Sequence, residues 1–291
     1  MTGLQFVERR WTSADGLRLY ARDYAGAAGD ARLPVVCLHG LTRNSKDFDE
    51  VAPRIAASGR RVIVPDIRGR GRSDRDPKPQ NYKPQVYARD VLALLDALGI
   101  RRAVFIGTSM GGLITMAVAA FRSKAVAAAV LNDVGPEIGR AGIDRILSYA
   151  GKPVEISNWD DAVAYLRGTS AVAFPDYDDE QWRRVAAQTF RDQGGRPALD
   201  YDPAIAVPLA SGQVKTRSLL ARILFRRLAR RRPTLLVRGA LSDLLTPEIA
   251  AKMKRWAPAM GEAVVPNVGH APILTEPEAV TAIDAFLASV P

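Results

Sequence analysis

The fold of this chain is decided by the stretch AVFIGTSMGG at residues 103–112. An apolar run ends there in Gly-x-Ser-x-Gly, and the apolar residues 113–120 that follow indicate a helix. Glycines around a serine at a strand-to-helix corner permit a sharp turn, the nucleophile elbow, which lifts the serine hydroxyl off the sheet edge. The stretch therefore predicts that Ser109 is an exposed nucleophile at the end of a strand.

Strand and helix signals alternate on both sides of this corner. Short aliphatic strands separated by helices predict an α/β protein with a mostly parallel central sheet of about eight strands, covered by helices on both faces. The predicted strands are 6–12, 17–24, 34–38, 61–65, 103–106, 126–131, 234–237 and 262–265. The predicted helices of this part are 45–58, with Ser45 as N-cap, 84–98, a helix that follows the elbow and ends at about Arg122, 247–256 and 277–289.

The alternation stops between residues 136 and 232. Segments 143–150, 160–167, 179–190 and 218–231 predict helices, with Pro and Gly but no strand between them. A helical block between two strands of one sheet predicts a lid over the carboxyl ends of the strands, where ligands bind in open α/β sheets. We therefore expect a core of residues 1–135 and 233–291 and a helical cap of residues 136–232.

Composition restricts the class of protein. A chain of 291 residues with 47% hydrophobic residues can bury a large core. The longest apolar run, 125–131, is too short to span a bilayer, and no apolar segment of a secretory signal follows Met1. Cys37 is the single cysteine, which excludes an internal disulfide. We expect a cytoplasmic protein without a membrane span.

Much of the formal net charge of +10 comes from the segment between Lys215 and Arg232. A basic segment can bind nucleic acid or an anionic surface, and a basic interaction protein is therefore one alternative. Apolar residues at helical spacing favour an amphipathic helix whose arginines face solvent. These apolar residues are Leu219, Leu220, Ile223, Leu224 and Leu228. Since no nucleic-acid-binding motif is present, we expect no nucleic-acid partner; nothing in the sequence indicates an oligomeric state.

A serine nucleophile needs a base that takes its proton and a third group that orients the base. Of the two histidines, His270 follows the last predicted strand and is the expected base. His39 directly follows the strand 34–38, and we expect its ring to organise that loop. The acid has two candidates, each of which follows a strand. Asp243 is favoured: it lies just past a strand and before a helix, and the order Ser109, Asp243, His270 fits that of elbow hydrolases. Asp133 is the alternative.

The tetrahedral intermediate of acyl transfer requires two N–H donors for its oxyanion. In elbow architecture one donor is the residue after the nucleophile, here Met110. The second comes from the loop after the third strand, and we expect it to be Leu41.

Five stretches together resemble, in order and spacing, the marker segments of the α/β-hydrolase superfamily with a helical cap. They are VVCLHGLTRN at 35–44, VIVPDIRGRGRSD at 62–74, FIGTSMGG at 105–112, LVRGALSDLLTP at 236–247 and VPNVGHAP at 265–272. The resemblance implies the α/β-hydrolase fold, with Ser109 as nucleophile, Asp243 as acid, His270 as base, and Leu41 and Met110 as oxyanion donors. It also implies that Asp66, Arg68 and Asp74 form an ion-pair scaffold.

Serine at the elbow argues against the branch of this superfamily that uses aspartate as nucleophile, because an alkyl-enzyme ester requires a carboxylate. We expect a carboxylesterase for short or medium acyl esters, with a small-molecule ester or lactone and water as substrates and no cofactor or metal. The alternatives are a lactonase, a carbon–carbon bond hydrolase, a perhydrolase and a non-catalytic binding protein of the same fold.

The expected acyl pocket is apolar. Its candidate side chains are Met110, Leu245, Ile273, Trp159, Phe174 and Trp182. Thr42 and Arg43 follow the oxyanion segment and are candidates for contact with a polar end of the substrate, although a solvated loop charge is the preferred interpretation of Arg43.

Overall fold

The computed structural model describes residues 6–27, 32–210 and 216–291. Lys215, the first residue of the basic segment, lies outside the described residues. The strands of the described part are β1 Phe6–Thr12, β2 Arg18–Tyr24, β3 Val35–Leu38, β4 Val62–Asp66, β5 Ala103–Thr108, β6 Val126–Asn132, β7 Phe190–Gln193, β8 Arg196–Leu199, β9 Thr234–Gly239 and β10 Gly261–Val265. The α-helices there are α1 Val51–Ala57, α2 Pro84–Ala97, α3 Met110–Phe121, α4 Arg140–Tyr149, α5 Trp159–Ser170, α6 Asp179–Thr189, α7 Val207–Ala210, α8 Leu219–Arg231, α9 Pro247–Trp256 and α10 Pro277–Ser289.

The main sheet has eight strands in the order β1-β2-β4-β3-β5-β6-β9-β10. The pairs β1–β2 and β2–β4 are antiparallel, and every neighbouring pair from β4 to β10 is parallel. The predicted mostly parallel sheet is therefore confirmed. Because β3, β5, β6 and β9 are adjacent and parallel, their carboxyl ends meet at one edge.

Central strand β5 explains why the sheet is covered on both faces. Successive side chains of a strand point to opposite faces. Ala103 and Phe105 belong to a hydrophobic cluster with residues of α2 and α3, whereas Val104 and Ile106 belong to a cluster with residues of α1 and α10. An uninterrupted apolar run is the pattern required of a strand buried on both faces.

Most element bounds agree with the prediction, but the first helix differs. Residues 45–58 form a 3₁₀ turn, Ser45–Phe48, followed by the separate α1. Asn44, and not Ser45, caps this turn, because the Asn44 side chain accepts a hydrogen bond of 2.9 Å from the Lys46 N–H. Asparagine is among the most favourable N-cap residues.

The sequence predicts only helices between β6 and β9. The structure also contains two strands in this segment. Strands β7 and β8 form an antiparallel hairpin joined by Gly194 and Gly195, which both have positive φ. A two-residue Gly-Gly connection is a hairpin signal. We predict from the sequence only that these glycines separate helices. A small hydrophobic cluster that includes Trp182 and Phe190 holds this hairpin against α5 and α6.

Helix α8 packs on the core, contrary to its expected place in the cap. Phe225 and Leu228 of α8 belong to the main hydrophobic cluster, together with residues of α3. We therefore propose that the cap ends before α8, not at Arg232. The prediction that the apolar face of α8 is covered is also partly wrong, because Leu219, Leu220 and Ile223 are exposed. No helix in the described ranges is both long and apolar enough to cross a membrane.

A buried arginine joins several loops of the core. Arg68 is 1% exposed and forms ion pairs of 2.7, 2.5 and 2.6 Å with Asp15, Asp76 and Asp90. The expected scaffold is therefore centred on Arg68 but has other partners. Asp66 accepts backbone hydrogen bonds from Ser45 and Arg72, and Asp74 pairs with the exposed Arg18.

We predict that Arg68→Met destabilises the fold by about 3–5 kcal/mol, because it leaves buried carboxylates without a compensating charge. Arg18→Met is the matched control: its pair with Asp74 is 3.4 Å long and its side chain is 80% exposed, so the expected change is below about 1 kcal/mol. Urea unfolding followed by circular dichroism measures both. Equal losses for the two variants would show that the Arg68 cluster adds nothing specific to stability.

Candidate active site

The corner between β5 and α3 presents Ser109 at the sheet edge. Ser109 has φ 51° and ψ −113°, a backbone conformation that is rare for a residue with a side chain. Two glycines allow the tight turn. A Cβ on Gly107 would lie 2.5 Å from the carbonyl carbon of Gly111, and a Cβ on Gly111 would lie 2.1 Å from the Leu38 carbonyl oxygen. The turn therefore requires glycine at both positions.

The loop after β10 brings His270 to this corner. The Ser109 hydroxyl lies 2.9 Å from Nε2 of His270, and Nδ1 of His270 lies 2.7 Å from Oδ2 of Asp133. Since a carboxylate accepts hydrogen bonds, Nδ1 donates to Asp133, which leaves Nε2 to accept from the serine. The loop is also held by the cap, because Gly269 N–H donates to the carbonyl of Ala173 at 2.6 Å.

Asp133 occupies the acid position that the sequence favoured for Asp243. Its side chain is fully buried directly after β6. Besides His270, the carboxylate accepts a hydrogen bond of 3.0 Å from Gly239 N–H and one of 2.6 Å from the Ser242 hydroxyl. These partners fix its orientation and compensate the burial of its charge.

The expectation that Asp243 orients His270 is therefore not supported. The Asp243 carboxylate faces the cap, where it accepts hydrogen bonds of 2.7 and 2.8 Å from Nε and Nη2 of Arg145. Burial by itself would raise the pKa of the Asp243 carboxyl, but the hydrogen bonds and charge of Arg145 outweigh it and lower that pKa. Asp243 lies four residues beyond the end of β9, whereas Asp133 is the first residue after β6. The extra length of loop carries Asp243 away from the sheet edge.

His39 orients a peptide group next to Ser109. Its Nε2 accepts a hydrogen bond of 3.1 Å from Ile67 N–H, so Nδ1 donates to the Gly40 carbonyl at 2.7 Å. Burial lowers the pKa of His39 to about 3, and the ring is neutral at physiological pH. Because the peptide bond is planar, fixing the Gly40 carbonyl also fixes the N–H of Leu41 in the opposite direction.

The two expected oxyanion donors lie beside the serine. A Cβ on Gly40 would lie 4.0 Å from Cβ of Ser109, which places the Gly40–Leu41 peptide at the corner. Met110 begins α3, so its N–H has no carbonyl partner within the helix. Among the described residues the Leu41 N–H finds no hydrogen-bond acceptor. Both donors are thus positioned for a ligand oxygen, and their role remains a proposal.

A cavity of about 220 Å³ opens onto Ser109 and His270. Of the apolar side chains expected to form the acyl pocket, Phe174 and Ile273 line it. The others lie elsewhere: Met110 and Leu245 are in the main hydrophobic cluster, and Trp182 and Trp159 are in the cap cluster.

Charged and phenolic groups also face the cavity. Arg43 lines it together with Thr42, and its guanidinium is held by Asp47 at 2.6 Å and by a hydrogen bond to Thr189. The preferred interpretation of Arg43 as a solvated loop charge is therefore wrong.

Arg145 and Tyr149 also line the cavity, and neither was identified from the sequence. Their spacing of four residues places them on one face of α4, which is the signal that could have found them. As for metals, no group of three or more His, Cys, Asp or Glu side chains within the described ranges is arranged to hold an ion.

Comparisons with known proteins show the family of this chain. The family model for the alpha/beta hydrolase fold matches residues 34–277. A 3-hydroxybutyrate-oligomer hydrolase from Cupriavidus necator is 36% identical over 279 residues, which are 94% of each chain. Lipase 1 from Psychrobacter immobilis is 26% identical over 90% of this chain and 78% of its own. A crystal structure of an alpha/beta hydrolase from Novosphingobium aromaticivorans is 44% identical, with a TM-score of 0.91 and 98% of each chain covered.

We predict that Asp133→Asn lowers kcat for p-nitrophenyl butyrate by about four orders of magnitude, because an amide favours the wrong imidazole tautomer and withdraws the charge beside it. Asp243→Asn is the matched control and should cost less than about tenfold with this neutral ester. Steady-state kinetics on both variants, with folding checked by circular dichroism, makes the comparison. A larger loss for Asp243→Asn would return the acid role to that residue.

Proposed function

We propose that this chain, which belongs to the α/β-hydrolase family, cleaves carboxylic esters through an acyl-enzyme on Ser109. The proposal rests above all on one observation. Ser109, His270 and Asp133 form a continuous chain of hydrogen bonds that ends in a cavity. This is the geometry of a nucleophile, its base and the group that orients the base.

In the first half of the reaction, Oγ of Ser109 attacks the ester carbonyl carbon and its proton passes to Nε2 of His270. Asp133 stabilises the imidazolium that forms and holds the ring in its tautomer. The carbonyl oxygen becomes an oxyanion, which accepts hydrogen bonds from the N–H groups of Leu41 and Met110. The carbon–oxygen bond to the alcohol then breaks, and His270 gives its proton to the leaving alkoxide.

In the second half, water replaces the alcohol. His270 takes a proton from water as the hydroxide oxygen adds to the acyl carbon. The second tetrahedral intermediate collapses with cleavage of the bond to Ser109 Oγ, and His270 returns the proton to the serine. The products are a carboxylic acid and an alcohol, and the enzyme is regenerated.

The substrate class we propose is a short oligomer of a hydroxyalkanoic acid. Its support is the similarity along nearly the whole chain to a protein named 3-hydroxybutyrate-oligomer hydrolase. In such an oligomer each ester joins a hydroxyl to a carboxyl group, and one end carries a free carboxylate. A cavity lined by apolar side chains such as Phe174 and Ile273, and also by Arg43, Arg145 and Tyr149, suits an ester that has an apolar backbone and an anionic end.

We predict that Ser109→Ala lowers hydrolysis of a 3-hydroxybutyrate trimer by about four to six orders of magnitude and abolishes labelling by a fluorophosphonate probe. Ser123→Ala is the control, since that serine lies in a turn after α3 and does not line the cavity. Release of 3-hydroxybutyrate is measured by chromatography. Activity of Ser109→Ala within tenfold of the parent protein would exclude an acyl-enzyme on this residue.

The parent protein should be assayed with a panel that also contains p-nitrophenyl butyrate, lactones and ring-fission diketones. Preference for the trimer is the expected result. Preference for a lactone or a diketone would replace the substrate class and keep the nucleophile. Probe labelling of Ser109 without turnover of any substrate would favour a non-catalytic binding protein of the same fold.

A further inference from the structure

Arg145 is a cavity-lining cation whose donors are only partly used. Its side chain is 15% exposed, and Nε and Nη2 both donate to Asp243. Nη1 donates to no acceptor among the described residues, and the Arg145 side chain contributes to the lining of the cavity. A guanidinium has five donors in a rigid fork, so a bidentate grip on one edge leaves the other side able to bind a second anion.

The support of Arg145 is rigid. Helix α4 begins against the loop that carries Asp243, where Gly139 N–H donates to the Leu244 carbonyl at 2.7 Å. A Cβ on Gly139 would lie 2.2 Å from the carbonyl oxygen of Asp243, and one on Gly142 would lie 2.8 Å from Cα of Leu244. The start of α4 is thus pressed onto the same loop that holds the guanidinium, which fixes Arg145 in advance of ligand binding.

The surroundings of Arg145 favour an anion. Tyr149, one turn further along α4, also lines the cavity, and the charges of both Arg145 and Arg43 act on its hydroxyl. Burial nevertheless raises the pKa of Tyr149, so that its hydroxyl stays a neutral donor. By contrast, the guanidinium of Arg43 is occupied by Asp47 and Thr189. Nη1 of Arg145 and the hydroxyl of Tyr149 are therefore two donors of cavity-lining residues that make no hydrogen bond with another described residue.

We propose that Arg145, positioned by Asp243, binds the free carboxylate of a hydroxyacyl ester whose carbonyl is attacked by Ser109, and that Tyr149 donates beside it. This inference rests on the proposed function and names the group that selects its substrate. It also gives Asp243 a positioning role in place of the acid role expected from the sequence.

The test compares a charged and a neutral substrate of nearly the same size: the 3-hydroxybutyrate dimer and the same dimer with its terminal carboxylate converted to a primary amide. Arg145→Met should lower kcat/KM for the acid about 10- to 100-fold, mainly through KM, and change the value for the amide less than about threefold. Arg140→Met is the matched control, because Arg140 is on the same helix but 79% exposed and paired with Asp144. It should leave the ratio of acid to amide unchanged.

Arg145→Met leaves the Asp243 carboxylate without its partner, which can disturb the cap. The double variant Arg145→Met/Asp243→Asn removes that charge and should show the same loss of preference for the acid. Equal losses for acid and amide in the double variant would overturn the proposal. So would a parent enzyme that does not distinguish the two substrates.

Binding without turnover separates this inference from the proposed function. Isothermal titration calorimetry with 3-hydroxybutyrate should give a Kd about 10- to 100-fold higher for the double variant than for the parent protein, and 3-hydroxybutyramide should show no such difference. This result together with failure to cleave the dimer would refute the proposed substrate and retain the carboxylate site. Cleavage of the dimer with equal Kd values would refute the carboxylate site and retain the esterase.

Discussion

The close approach of α3 to the ends of β3 and β5 is the constraint on which the rest of the site depends. Only glycine fits at 107 and 111, since a Cβ there would overlap backbone atoms of Gly111 and Leu38. This contact forces Ser109 into its unusual conformation and places the first residue of α3, Met110, directly after it. The backbone strain at one residue is maintained because the surrounding sheet and helix are buried and cannot relax independently.

The loop on the other side of this corner is held by His39, whose two ring nitrogens both make hydrogen bonds. Neutral His39 accepts from Ile67 and donates to Gly40, so that the loop after β3 is tied to the loop after β4. Because the planar Gly40–Leu41 peptide is held at its carbonyl, the Leu41 N–H is oriented before any ligand arrives. Preorganised donors of this kind need no rearrangement when charge develops on the substrate.

Core and cap are joined at points that also position site residues. Gly269 N–H donates to Ala173 of the cap one residue before His270, and Arg145 of the cap grips Asp243 of the core. The cap supplies no member of the hydrogen-bonded chain Ser109–His270–Asp133, yet the loop of the histidine is anchored to it. The segment between β6 and β9 therefore supports the loop that carries His270.

The sequence by itself determined the sheet, the sharp turn at Ser109 and the histidine that meets this serine, because these depend on local patterns. Apolar runs of the right length become buried strands. Residues 6–12, 247–256 and 277–289 were predicted with the bounds that the structure has, since turns and Pro at N1 mark them locally. Gly-x-Ser-x-Gly requires a particular turn. The chain has only two histidines, so few residues were candidates for an imidazole beside Ser109.

Tertiary structure alone decided the partner of His270. Asp133 and Asp243 both follow strands that end at the same edge of the sheet, and a linear sequence contains no measure of how far each side chain stands from the imidazole. That distance depends on how the loops after β6 and β9 leave the edge and on the cap arginine that captures Asp243. The same reason explains why the sequence did not reveal the exposed apolar residues of α8 or the side of Arg145 that we propose binds an anion. Which face of a helix is covered depends on neighbours that are distant in the chain.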